Sequence, residues 1–265
     1  MAENHLLQAR EGDIRRSRPG RCGHGPQTPR LSVRAVPVAL AFWALALSAQ
    51  PRPESDAPLV LPRVRGPVTL DGLSDEPAWR GVPLLPCVGY LPNSGAAPSE
   101  RTEVLVAYDD GFLYVAGRLY DREPDKIQAT SRKRDDMKLS NDWFGVILDT
   151  FGDHENALCF YTTPAGLRLD MTVFNDAQGD FPVDKNWNTF WDVATVRNAE
   201  GWFAEIRIPL SSLRFQATDG RVVMGLIANR YIARKNEAIT FPFIPPKWGF
   251  WGSFKPSRPP STRQS

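Results

Sequence analysis

TEVLVAYDDGFLYVAGRLYD, Thr102 to Asp121, sets two runs of alternating side chains on either side of Asp110-Gly111. An Asp-Gly pair between period-two runs is the strongest short-range signal for a β-hairpin. The alternation recurs along the chain. Leu167, Leu169, Met171 and Val173 alternate with Arg168, Asp170 and Thr172, and Trp202, Ala204, Ile206 and Ile208 stand opposite Glu205 and Arg207. Each run predicts a strand with one buried and one polar face. Cys87 to Leu91, Trp143 to Thr150, Ala157 to Thr163, Trp191 to Arg197 and Val222 to Arg234 are further strand candidates. No segment sustains a 3.6-residue period. The fold class expected is therefore all-β, a two-sheet antiparallel β-sandwich of roughly ten strands, with jelly-roll or immunoglobulin-like connectivity left open.

The one helical turn expected lies in VTLDGLSDEPAWRG, Val68 to Gly81. Asp71-Gly72 suits a turn, because Gly tolerates positive φ and Asp can bond its own following backbone. Asp75-Glu76-Pro77 can open a helical turn with acids at its positive end and proline inside it. Trp79 is then expected to fold back onto the sandwich as a plug.

With 265 residues, 42% of them apolar and 11% aromatic, the chain can bury a real core. Its formal charge is +2, but seven of the 32 Lys/Arg and three of the 30 Asp/Glu precede Gln50, which leaves 25 basic against 27 acidic side chains beyond. That balance removes the electrostatic case for nucleic-acid binding. The leader, 1–49, carries basic residues up to Arg34, then the 13-residue apolar run AVPVALAFWALAL and Ala46 or Ala49 as cleavage candidates. This is the layout of a secretory signal, and the run is too short to span a bilayer comfortably. Export is expected, to the periplasm, the outer-membrane surface or outside the cell. Residues 50–63 read as a Pro-rich linker, 64–254 as the sandwich and 255–265 as a disordered tail. Cys22 would leave with the leader, so Cys87 and Cys159 allow at most one disulfide and read as free thiols. His154 is then the sole histidine, which argues against His-based triads and His-rich zinc sites.

LDGLSDEPAW, TEVLVAYDDGFLYVAGRLYDREP, RKRDD, NDWFGVILDTFGD, TPAGLRLD, NWNTFWDVAT, GWFAEIRIPLSSLRF and MGLIANRYIARKNE occur in that order. The ordered set resembles the carbohydrate-binding family 9 type (DOMON-like) domain, in the version found at the front of exported bacterial proteins of a DUF5916-like family. The resemblance covers Val64 to Phe254. It implies a two-sheet sandwich, a saccharide ligand and, in some members, calcium. It also implies a β-rich, membrane-associated region following the domain in the longer proteins. Sugar-binding members carry a stacking tryptophan just ahead of the acid that opens the NDW strand. Here that neighbourhood reads Met137, Lys138, Leu139 and Ser140, while Asp142 matches.

KNWNTFWD is the first site candidate. Sugar rings present apolar C–H faces that stack on indole, as Trp187 and Trp191 offer, and hydroxyls that need partners such as Asn186, Asn188 and Asp192. The competing reading is that one or both tryptophans pack as core. A second candidate is the loop before Trp143, where Arg132, Arg134, Asp135, Asp136, Asn141 and Asp142 can grip hydroxyls, or form a solvated network of their own. Asp149, Asp153 and Glu155 around a turn are a candidate calcium set, or an ordinary acidic hairpin turn; no other cofactor is expected. Glycoside hydrolysis needs two carboxylates about 5 to 10 Å apart. Glu205, Asp170, Asp142 and Asp192 could contribute, although Glu205 is expected to pair with Arg214 or Arg230. Three readings follow: a monomeric, noncatalytic saccharide-binding module linked to carbohydrate catabolism; a structural or interaction sandwich of a cell-envelope protein; and a glycosidase fragment.

Overall fold

A computed structural model describes residues 59–248 apart from 137, 178–181, 216 and 219–220. The leader, the linker up to residue 58, the tail, Cys22, Met137 and Phe254 lie outside the described residues. The chain forms β1 (Val88–Leu91), β2 (Thr102–Tyr108), β3 (Phe112–Tyr120), β4 (Trp143–Asp149), β5 (Ala157–Thr162), β6 (Arg168–Val173) and β7 (Val183–Asp184). It continues with β8 (Asp192–Asn198), β9 (Gly201–Pro209), β10 (Ala217–Thr218), β11 (Arg221–Val222), β12 (Gly225–Ile232) and β13 (Glu237–Phe241). Seven strands make one sheet in the order β1-β13-β12-β4-β5-β6-β7, four make the other in the order β2-β3-β9-β8, and β10-β11 is a small separate hairpin. Every pairing between these strands is antiparallel. The expected sandwich is the observed one.

The hairpin at Asp110-Gly111 closes as its sequence predicts, with Tyr108 opposite Leu113. Asp109 Oδ1 accepts the N–H of Gly111 at 2.8 Å and of Phe112 at 2.7 Å, so the turn is held by its own aspartate. Between the sheets lie Val104, Val106, Leu113, Val115, Leu119, Trp202, Ala204, Ile206 and Ile208 from the four-stranded sheet. Phe144, Val146, Leu148, Phe160 and Ala228 meet them from the seven-stranded one. Gly117 sits in the inner row of β3, where a Cβ would lie 2.7 Å from the Phe144 ring. The missing side chain is what lets that ring seat against the facing backbone.

Strand β6 corrects one expectation. Its apolar row, Leu169, Met171 and Val173, is buried on the outer face of the seven-stranded sheet with Ile147, Cys159 and Tyr161. Its polar row, Asp170 and Thr172, points to the interior side, yet both are buried. Cys87 is half-buried and Cys159 buried, and both are free.

The outer face of the four-stranded sheet is covered by the N-terminal segment. Val64 donates to Tyr108 O at 2.9 Å, and Trp79 packs with Leu105, Ala107, Tyr114 and Ala116 after the 3-10 turn Pro77–Trp79. Burying such an indole contributes about 2–3 kcal/mol, and its orientation is set by a carboxylate. Glu205 Oε1 accepts Trp79 Nε1 at 3.0 Å, and Oε2 accepts the N–H of Gly72 at 2.8 Å and of Asp71 at 3.1 Å. The expected pairing of Glu205 with Arg214 or Arg230 is therefore wrong. Arg230, also buried, spans the sheets instead, donating to Arg101 O, Thr102 Oγ1 and Tyr120 O at 2.7 to 3.0 Å.

Candidate functional site

The connection from β7 to β8, residues 185–191, passes from the seven-stranded to the four-stranded sheet beside the polar inner row of β6. Asp170 is its anchor. Wholly buried on β6, its Oδ2 accepts the N–H of Thr189 at 2.7 Å and its Oδ1 accepts Arg134 Nη2. Arg134 in turn donates from Nε to Asn188 Oδ1 at 2.9 Å and lies 3.6 Å from Asp135 Oδ2. Loop 128–142 and the β7–β8 connection are thereby clamped together over one buried carboxylate. Asp135 N–H donates to Arg168 O at 3.1 Å, and Arg168 Nη1 donates to Trp191 O at 2.9 Å, which ties both loops to β6.

Trp187, half-buried, meets the edge of Phe160 at 6.0 Å and 73° and keeps part of its indole at the surface. Asn188 beside it is exposed, its Nδ2 donating to Asn186 O at 3.0 Å, and Asn186 N–H caps Asp184 Oδ1 at 2.8 Å. Arg134 forms no hydrogen bond through Nη1 among the described residues, and Asp135 Oδ1 has no partner. Arg134, Asp135 and Asn188 thus form one partly exposed network, with Trp187 preceding Asn188 in the chain. Its chemistry suits a polyhydroxylated ligand: a half-buried indole, an amide and a guanidinium fork.

Three candidates do not belong to it. Trp191 is only 2% exposed and packs on Phe160 at 5.5 Å and 79°, so no sugar can stack there. Asn141 is fully buried, its Oδ1 accepting from the N–H of Thr130 at 2.9 Å and the Thr130 hydroxyl at 2.8 Å. Asp142 is buried as well, its Oδ1 taking the N–H of Ala233 at 3.0 Å. Burial raises its carboxyl to about 6, the pull of the Ala233 N–H and of the Arg230 charge working the other way. Asn141 and Asp142 are the foundation under the loop, not its ligand edge. The sequence reading also missed Phe190, 87% exposed on the same connection, its carbonyl held by the Ser212 hydroxyl at 2.9 Å. An apolar residue in an irregular stretch reads as core; only its loop position hinted otherwise.

At the acidic turn, Asp149 Oδ1 accepts the N–H of Gly152 at 2.7 Å and Oδ2 that of His154 at 2.9 Å. Asp153 Oδ1 caps Glu155 and Asn156, each at 2.8 Å. Among the described residues no cluster of three or more His, Cys, Asp or Glu is arranged to hold a metal ion. The carboxylates considered for acid–base work are dispersed. Glu205 and Asp192 lie on the outer face of the four-stranded sheet, Asp192 paired with Arg207 at 2.7 Å. Asp142 and Asp170 are occupied as described. No helix among the described residues is long and apolar enough to cross a membrane.

Fold and site together define an antiparallel β-sandwich with a polar loop cluster at its side. Among solved structures, a "putative carbohydrate-binding protein" from Bacteroides uniformis ATCC 8492 matches with a TM-score of 0.53 at 9% identity, over 69% of this chain and 88% of that one. At that identity the likeness establishes a shared fold. A carbohydrate binding module family 9 protein from Caldicellulosiruptor kristjanssonii, in complex with glucose, gives a TM-score of 0.46 at 17% identity over 74% and 90% of the two chains. Its cellotriose complex gives 0.43 at 18% identity over 68% and 81%. No protein-family model matches the chain, and no curated protein does.

Proposed function

We propose that this domain is a noncatalytic saccharide-binding module of an exported protein, with Trp187 as the stacking group and Arg134, Asn188 and Asp135 as polar contacts. The observation that carries the reading is the clamp over Asp170. It holds a guanidinium on Asn188, the chain neighbour of the half-buried Trp187, and an apolar face joined to planar polar groups is the pairing that a pyranose needs. The module would hold polysaccharide for an associated enzyme or envelope protein.

The test is thermal unfolding of the chain against a panel of mono- and oligosaccharides, with calcium and with chelator. A ligand at about 100 times its Kd adds about 2.7 kcal/mol, a shift of a few degrees for a domain of this size. A sugar-dependent shift that disappears in Trp187→Ala, with the unliganded midpoint little changed, supports the reading. A shift with calcium alone would direct attention to Asp149, Asp153 and Glu155. Flat curves would favour the second reading, an envelope interaction domain without sugar affinity. That reading draws on Leu139, 70% exposed in the neighbourhood where the resembled family keeps a stacking tryptophan.

A further inference from the structure

We propose that the site around Trp187 takes an acidic saccharide, one bearing carboxylate or sulfate groups, with Phe190 as a second apolar platform. The inference rests on the reading of that site as saccharide-binding and names the ligand class. Arg132 and Lys133 on one loop and Lys185 on the other are exposed, and none forms an ion pair among the described residues. The acids on the same loops are engaged: Asp135 faces Arg134, Asp136 pairs with Lys138 at 3.1 Å, and Asp184 caps Asn186. Across residues 131–141 and 184–190 there are five Lys/Arg (Arg132, Lys133, Arg134, Lys138, Lys185) against three acids (Asp135, Asp136, Asp184), 5 − 3 = +2. From Gln50 onward as a whole the balance is 25 − 27 = −2. With the buried Asp170 that Arg134 pairs with included, the clamped loops still carry a positive balance, 5 − 4 = +1.

The geometry adds direction to that charge. The buried Asp170 fixes the Arg134 guanidinium through Nη2, leaving the Nη1 edge for an anionic oxygen, and a pre-positioned fork loses less entropy on binding than a free lysine. A purely cationic surface would not explain Phe190. An exposed phenyl ring three residues from a half-exposed indole offers apolar contact along a chain of sugars, whose C–H faces stay apolar when carboxylate or sulfate is attached. Charge from both loops and the stacking side chains of the β7–β8 connection belong to the same clamped pair of loops.

The experiment is calorimetric titration of the full chain with cellotriose, with trigalacturonate and with a sulfated trisaccharide, repeated from about 0.05 M to about 0.5 M salt, where screening lengths fall below the loop dimensions. The expected result is that an acidic trisaccharide binds about tenfold tighter than cellotriose at low salt, as three exposed charges would supply. The preference should shrink at high salt and vanish in the triple variant Arg132→Gln, Lys133→Gln, Lys185→Gln, whose melting point stays near that of the parent. Trp187→Ala should abolish binding of all three sugars. The carboxylate and sulfate arms decide which anion is recognised. Cellotriose binding as well as or better than both acids overturns the inference and leaves the saccharide site standing. So does acid binding that survives both the triple variant and Trp187→Ala. Binding of none of the three overturns the inference and the proposed function together.

Discussion

Glu205 in β9 and Trp79 in the N-terminal turn meet through Oε1 and the indole N–H at 3.0 Å, across 126 residues of sequence. With the N–H groups of Asp71 and Gly72 on Oε2, one carboxylate takes three donors of the N-terminal segment. Glu205→Ala would leave those donors without their acceptor and is expected to cost about 3 kcal/mol. Trp79→Phe keeps an aromatic ring but drops the N–H along with part of the indole's bulk. Urea unfolding of both single variants and the double should show a coupling of about 1 kcal/mol; additive losses would mean that burial alone holds the turn.

Gly117 and Phe144 meet across the two sheets with no room for a Cβ between them. Because the clash in Gly117→Ala would be with a ring packed in the core, the substitution should destabilise by about 1–3 kcal/mol. Adding Phe144→Leu should recover part of that loss by vacating the space. If Gly117→Ala melts like the parent, the sheets can separate at this point, and the glycine is not what fixes their spacing.

Asp170→Asn tests the clamp. The amide can still accept one bond, but the partly exposed guanidinium loses its charged partner, and weakening a charge-assisted bond of this kind costs about 1–3 kcal/mol. Hydrogen exchange at Thr189 should accelerate more than exchange in β2 or β3, since its N–H bonds directly to the altered group. Uniform acceleration across the sandwich would place Asp170 in global stability rather than in holding the two loops together.

The period-two strands were legible because alternation survives in the sequence whatever the partner, and the Asp110-Gly111 turn fixed one register outright. Strand β13 was not, since Glu237–Phe241 is five residues long, set between Asn236 in the left-handed region and Pro242. Alternation also cannot say which face meets the other sheet, so the β6 pattern predicts one buried side and does not place its polar row inside. In NWNTFWD the two tryptophans have similar polar neighbours. What separates them is that β8 begins at Asp192, which draws Trp191 into the core and leaves Trp187 on the connection. Asn141 and Asp142 looked like loop polarity, but they lead into β4, where burial begins.

Asp142 gives the protein a pH signature. Its carboxyl rises from the ordinary 3.8 to about 6 through burial, so between those values the folded chain holds a proton that the unfolded chain has lost. Its contribution to stability is complete below the unfolded value and is lost as pH rises through about 6. Asp142→Asn keeps an acceptor for the Ala233 N–H and puts an uncharged amide where Oδ2 has no partner. Measured against the parent, the variant should therefore gain about 2 kcal/mol in relative stability between about pH 4 and about pH 7. Urea unfolding of both proteins at the two pH values gives that difference directly, because other titrating groups cancel. An unchanged difference would mean that Asp142 is already ionised in the acid-side fold, with the Arg230 charge outweighing the cost of burial.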